Sequence, residues 1–148
     1  MQGTVGVLAT PTLHRMDFLV SMPLPLAYWC VLIAALLPFV WVGFAKAGAH
    51  YRNKTPRDLS QYEGYRRRAH DAHQNAFEAL PFFIGAVVLA IQFGGASGLT
   101  LNLLAAVWVL LRIGHGAAYL ADKATLRSVI WVLALVVNLA IFLLPALT

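Results

Sequence analysis

The stretch LAYWCVLIAALLPFVWVGF, from Leu26 to Phe44, is uncharged throughout and has a tryptophan near each end. A helix needs about 20 apolar residues to cross the roughly 30 Å hydrocarbon core of a bilayer, and tryptophan is enriched at the membrane interfaces. The stretch therefore predicts a membrane-spanning helix. Of the 148 residues, 60% are hydrophobic and only 11% are charged, whereas about 25% are charged in an ordinary soluble domain. This composition excludes a soluble globular protein.

Three further apolar runs follow the first. They cover Ala76 to Phe93, which helical spacing extends back to Gly64, then Leu99 to Leu120 and Val129 to Leu147. Each is longer than the 10 to 14 residues typical of a buried core helix. The sequence therefore predicts an all-α integral membrane protein with four transmembrane helices.

We assign these four helices to a single membrane domain, residues 23–148. Residues 1–22 form an N-terminal extension that we expect to be poorly ordered. An alternative interpretation takes Arg15 and the first apolar run as a signal peptide. That run exceeds the 7 to 15 apolar residues of a typical signal, so a retained helix is favoured.

The basic residues indicate topology. Seven of the eleven Lys and Arg residues fall between Lys46 and Arg68, beside a hydrophobic segment, which argues against nucleic-acid binding. Cytoplasmic loops of membrane proteins carry excess Lys and Arg. The connections 45–63 and 121–127 are therefore predicted to be cytoplasmic, and both termini lie on the opposite side. Cys30 is the only cysteine, so no intrachain disulfide or thiolate metal cage can form.

Polar residues inside the spans are the candidates for function. Arg68, Asp71, Asn75 and Glu78 recur at helical spacing on the second helix. A charged group at the centre of a span costs about 2.5 to 3.5 kcal/mol, so such groups usually pair with one another or line a polar cavity. A second polar stripe follows on the third helix, and two more polar residues open the fourth. These residues are Arg112, His115, Tyr119, Arg127 and Ser128.

Structural roles are the alternative for five of these residues. Arg112 and Glu78 are candidates for an ion pair between helices, and Asn75 for an interhelical hydrogen bond. His115, between two glycines, suits a close helix crossing. Tyr119 suits the aromatic belt at the interface.

Two segments resemble a known family. The stretch RAHDAHQNAFEALPFF, from Arg68 to Phe83, resembles the signature R-A-x-x-A-H-x-N-x-x-E-x-x-P-x-F of the MAPEG family, the membrane-associated proteins in eicosanoid and glutathione metabolism. The stretches RIGHGAAY, from Arg112, and LRSV, from Leu126, look like the third- and fourth-helix segment of its prostaglandin E synthase branch. The resemblance extends from Leu26 to the C-terminus and is nearest to bacterial members, which implies a location in a bacterial inner membrane.

The resemblance implies a left-handed four-helix bundle, a homotrimer with sites between subunits, and glutathione as cosubstrate. It also implies a lipophilic second substrate that enters from the surrounding lipid. Asn75 and Glu78 would hold the glutathione backbone, Arg68 would shape the cytoplasmic mouth of the site, and Lys46 would grip a carboxylate.

The remaining implied site residues come from the third and fourth helices. Arg112, His115 and Tyr119 would complete the binding site, and Arg127 and Ser128 would face the sulfur. Arg127, Ser128 and Tyr119 are the implied catalytic residues. The reaction classes implied are conjugation of glutathione to an electrophile and reduction of a lipid hydroperoxide.

The sequence departs from the family at two positions. Asp71 and Gln74 stand where many or some members carry arginine, which predicts a less positive site. Two other functions stay open: a lipid-binding scaffold without activity, which the family also contains, and a small transporter. The lack of inverted repeats disfavours the transporter.

Overall fold

The computed structural model describes residues 25–47, 51–94 and 98–147. The described chain contains four long α-helices and two short 3-10 turns, with no strand among these residues, so the all-α prediction is confirmed. The helices are α1 (Leu26–Lys46), α2 (Gly64–Phe93), α3 (Gly98–Leu120) and α4 (Ala124–Leu143). The predicted N-terminal extension, residues 1–22, lies outside the described residues.

All four helices are long and apolar enough to span a membrane. Large apolar side chains point outward on every helix, including Leu36, Val88, Leu110 and Val136, each at least half exposed. Such a surface is unfavourable in water and suits contact with lipid tails. The protein is an integral membrane protein.

The core is built largely from small residues. Buried alanines let the helix backbones approach closely, as is usual in membrane bundles. Examples lie on three of the helices: Ala34, Ala72, Ala86 and Ala105. Larger rings fill the centre, where Phe83 stacks on Trp108 with ring centroids 3.8 Å apart.

The fourth helix begins earlier than the sequence predicts. It starts at Ala124 rather than Val129, so the third connection comprises only residues 121–123. Asp122 has a φ of 58°, in the left-handed region that aspartate tolerates better than most residues. The Lys123 N–H donates to the Ala118 carbonyl at 3.0 Å and closes the turn. Arg127 and Ser128 therefore lie on the first turns of α4, at what we call the turn end of the bundle.

Side chains of α2 satisfy the last carbonyls of α1. Arg66 Nε donates to the Ala45 carbonyl at 2.8 Å, and the Tyr65 hydroxyl donates to the Phe44 carbonyl at 3.3 Å. The final carbonyls of a helix have no partner within the helix, so these contacts replace the missing bonds. His73 Nδ1 joins the same two helices farther along, 2.8 Å from the Pro38 carbonyl.

The described part of the long connection, residues 51–63, is folded on its own side chains. Gln61 is buried and bonds the Arg52 N–H and the carbonyls of Thr55 and Asp58. Hydrogen bonds from Ser60 hold the pKa of the Asp58 carboxyl below its usual value, and the nearby Arg52 cation acts in the same direction. This segment therefore has a defined structure outside the membrane spans.

Gly116 marks a close crossing of α1 and α3. A Cβ placed on Gly116 would overlap the indole of Trp41, which is 7% exposed and has little room to move. The expectation of a tight helix crossing beside His115 is thus met by this glycine.

Gly116→Ala is expected to destabilise the protein by about 1 to 3 kcal/mol, the usual cost of overpacking a core. Gly43→Ala is the matched control, because no atom lies within 4 Å of its added methyl, and alanine should stabilise that helix by about 0.5 to 1 kcal/mol. Thermal unfolding in detergent measures both. Equal midpoints for the two variants would contradict the crossing.

The predicted orientation is tested by labelling. In a background without Cys30, cysteines at Ser60 and Ala124 should resist a membrane-impermeant maleimide in intact cells, and one at Ser97 should react. The reverse pattern would overturn the assignment of the termini to the non-cytoplasmic side.

Candidate functional site

Arg112 and Asn75 form the centre of a polar cluster between α2 and α3. Arg112 is only 5% exposed. Its Nη2 donates to the Asn75 side-chain oxygen at 2.7 Å and to the Asn75 carbonyl at 3.0 Å. The Asn75 amide donates in turn to Glu78 Oε2 at 3.3 Å. The amide therefore lies between the cation and the carboxylate.

The ion pair considered between Arg112 and Glu78 does not form within the chain. Among the described residues, the four ion pairs found include neither of them. Glu78 is exposed on the surface of this chain and accepts a hydrogen bond from the Asn75 amide, while Asn75 supplies the acceptors that the buried guanidinium requires. The Asn75 contact predicted as an interhelical hydrogen bond is present, with Arg112 as its donor.

Aromatic rings set the position of the Arg112 guanidinium. Its carbon lies 5.9 Å from the centre of the Trp108 ring, within reach of a cation–π interaction. Trp108 is itself held by stacking on Phe83. The guanidinium is thus fixed by α2 on one side and by a packed indole on the other.

A cavity of about 250 Å³ adjoins this cluster between α2, α3 and α4. Its polar lining consists of Asn75, Glu78, Arg112 and Asn138. The remaining lining is apolar and consists of Ala79, Phe82, Trp108, Trp131, Ala134 and Leu135. The cavity can therefore accept a molecule with one polar end and an apolar body.

A second cluster joins α3 to α4 at the turn end. The Arg127 guanidinium carbon lies 4.4 Å above the Tyr119 ring, and His115 meets that ring edge-on at 5.1 Å. His115 is 2% exposed, and Tyr119 and Arg127 are half-buried. The stack holds the Arg127 cation in place, in line with Arg112 along the polar stripe of α3.

The side chains of Ser128 and Arg68 donate hydrogen bonds to backbone carbonyls. The Ser128 hydroxyl donates to the Ala124 carbonyl at 3.2 Å, so it must rotate before it can bond a ligand. Arg68 Nη2 donates to the Leu120 carbonyl at 3.3 Å, and Arg68 Nη1 lies 3.6 Å from Asp122 Oδ2. Arg68 therefore fastens the start of α2 to the end of α3.

Lys46 lies apart from these residues. Its ammonium is 5.2 Å from the centre of the Tyr51 ring, and it lines a separate groove between α1, α2 and the long connection. Asp71 and Gln74 line that groove as well, and Asp71 pairs with Arg67 at 3.2 Å. Within one chain, the two departures from the family pattern therefore alter this groove and not the Arg112 cavity.

Seven of the ten lining residues were not predicted from the sequence, among them Trp131 and Asn138. Both lie on α4, in the apolar run for which the sequence analysis named no site residue. Asn138 is the only polar residue between Ser128 and the end of that helix, and this isolation is the signal that could have identified it.

The comparison with protein families gives one match. A model of the MAPEG family matches residues 26–147, which includes all four helices, both clusters and the cavity. No curated protein and no solved structure matches the chain. Because the matched region covers well over half of the sequence, the chain belongs to the MAPEG family.

Proposed function

We propose that this protein is a glutathione-dependent transferase or peroxidase that acts on lipophilic electrophiles or lipid hydroperoxides. Membership of a family associated with glutathione supports this class of activity. The observation that carries the proposal is the Arg127 guanidinium held over Tyr119, in line with the Arg112 and Asn75 cluster. A fixed cation can stabilise a thiolate that binds next to it.

Glutathione would lie with its backbone along the polar cluster. Its carboxylates suit the cations of Arg112 and Arg68, and its ammonium suits the exposed carboxylate of Glu78. Asn75 would keep its bond to Arg112 and orient that side chain. Lys46 lines a separate groove of the same chain. A glutathione carboxylate at this site would therefore be bound by Lys46 of an adjacent subunit.

Arg127 would supply the electrostatic part of catalysis. A free thiol has a pKa of about 8.5, so little thiolate is present at neutral pH. A neighbouring cation favours the charged form and lowers the thiol pKa. Arginine does not deprotonate, so the thiol proton leaves to water. Tyr119 and a rotated Ser128 would donate hydrogen bonds to the same sulfur.

Both reactions use the thiolate as the nucleophile. In conjugation, sulfur forms a bond to an electrophilic carbon, and the leaving atom departs with its electron pair. In peroxide reduction, sulfur attacks one peroxide oxygen, the O–O bond breaks, and the lipid alkoxide takes a proton to become an alcohol. A second glutathione then converts the sulfenic acid to a disulfide and water.

The lipophilic substrate would enter from the bilayer into the cavity between α2, α3 and α4. Turnover in proteoliposomes with a chlorodinitrobenzene and with cumene hydroperoxide tests the proposal. We expect protein-dependent consumption of glutathione with at least one of them. Ion flux across the same liposomes without any turnover would instead support a transporter.

We further propose a homotrimer with α2 nearest the central axis, because Lys46 and the Arg112 cluster cannot meet within one chain. Light scattering in mild detergent is expected to give three chains per particle. A monodisperse monomer that binds glutathione fully would contradict the trimer.

A further inference from the structure

Asn138 is a buried amide on the apolar helix α4. It belongs to the only buried stripe of α4, with Ala134 and Ile141, and is 3% exposed. Its side-chain oxygen has no hydrogen-bond partner within the described part of the chain. A buried polar group without a partner is costly, most of all at membrane depth. The side-chain oxygen can therefore accept a hydrogen bond from a bound ligand.

Asn138 lines the cavity farther from the turn end than Arg112 does. Helix α3 ends at the turn end and α4 begins there, so positions on both helices can be measured from it. The start of α2 lies beside the same end, because Arg68 contacts Leu120 and Asp122. At 1.5 Å per residue, Arg112 lies about 12 Å from that end and Asn138 about 21 Å from it. Apolar side chains, among them Phe82 and Leu135, line the cavity along with them. The cavity thus offers a second polar contact about 9 Å farther from the turn end than the first.

The chemistry of the amide defines what can bind there. An amide both donates and accepts, so it matches a neutral group that does the same, whichever way its oxygen and nitrogen are oriented. A hydroxyl is such a group. A bare hydrocarbon chain would leave the amide unpaired, and an ionised group within a membrane span is disfavoured.

We propose that Asn138 determines specificity for lipophilic cosubstrates that carry a hydroxyl on the chain, remote from the carbon or oxygen that reacts. This inference rests on the proposed function, because it takes the cavity to be the site of the lipophilic cosubstrate. Arg127 lies eleven residues before Asn138, or about 16 Å along the helix axis, so the hydroxyl and the reacting atom are well separated.

Equilibrium binding of tritiated hydroxystearate and stearate to the detergent-solubilised protein tests the proposal without catalysis. The hydroxystearate carries its hydroxyl near the middle of the chain, and the two probes share the same carboxylate. We expect the wild type to prefer hydroxystearate by about tenfold, the usual scale for one buried hydrogen bond. Asn138→Leu should abolish the preference, and Asn138→Ser should restore part of it.

Leu135→Ala is the matched control, because it enlarges the same cavity without removing a polar group. It should weaken both probes and leave their ratio unchanged. Equal binding of the two probes to the wild type, or a preference that survives Asn138→Leu, would overturn the proposal. A loss of thermal stability or trimer yield in Asn138→Leu would also overturn it, since the amide would then be a contact between subunits.

The outcomes separate this inference from the proposed function. A hydroxyl preference that depends on Asn138 in a protein without glutathione turnover would support the inference and contradict the enzyme. Turnover without the preference would support the enzyme and contradict the inference.

Discussion

Arg112→Leu is expected to remove most of the glutathione affinity while the protein still folds. Hydrogen bonds to charged groups contribute about 1.5 to 3 kcal/mol each, so one lost carboxylate contact lowers affinity about tenfold to a hundredfold. The half-buried Asn75 side-chain oxygen loses its donor at a cost of up to about 3 kcal/mol. Leucine also removes a charged group from the span, where such a group is costly, so the loss in stability is partly offset. Calorimetric titration and thermal unfolding measure the two effects.

This expectation follows from the partner that the structure gives Arg112. A buried ion pair with Glu78 would make the same substitution severely destabilising, because it would leave a buried carboxylate unpaired. Glu78 is exposed and bonded to Asn75 instead. The double variant Arg112→Leu with Asn75→Leu removes donor and acceptor together and should unfold near the wild-type temperature. Loss of trimer in Arg112→Leu, rescued by Arg112→Lys, would show that Arg112 pairs with a carboxylate of a neighbouring subunit.

Arg127→Ala is expected to lower turnover sharply at neutral pH and to recover part of it in alkaline solution. The cation lowers the pKa of the bound thiol, so its removal raises that pKa, and thiolate is then lost at neutral pH and returns as the pH rises. Each unit of change corresponds to about 1.4 kcal/mol of thiolate stabilisation. Arg127 is half-buried at the end of a span, where water can replace it, so the fold should persist. The pH profile of turnover is the measurement.

Arg127→Lys is the matched control, because it keeps the charge and loses the planar group that stacks on Tyr119. Its profile should lie between those of the wild type and Arg127→Ala. A wild-type profile for Arg127→Ala, with glutathione affinity intact, would exclude Arg127 as the thiolate-stabilising group. Tyr119 or Ser128 would then be the next candidate.

The four transmembrane helices were predictable because an apolar run of about 20 residues is long enough to cross the bilayer as a helix. The start of α4 was predicted five residues late, since Ala124 to Ser128 is too polar to count as membrane-embedded yet remains helical. A hydropathy pattern locates the part of a helix that lies in lipid. It does not detect a first turn that is polar.

The contacts that each site residue makes were less predictable than the identity of the site residues. Spacing places Arg68, Asp71, Asn75 and Glu78 on one stripe, but their different positions along the length of α2 bring them to different neighbours. Arg68 bonds the end of α3, Asp71 faces the Lys46 groove, and Asn75 takes Arg112. Asn138 was missed because an uncharged asparagine barely disturbs a hydropathy pattern.

The central claim is that this protein binds glutathione as the thiolate. The most direct measurement is the ultraviolet thiolate absorbance of glutathione titrated with purified protein at neutral pH, with heat release recorded in parallel. We predict a thiolate signal that saturates with binding in the wild type, and binding heat without that signal in Arg127→Ala. Absence of both signals in the wild type would contradict the account and favour a lipid-binding scaffold.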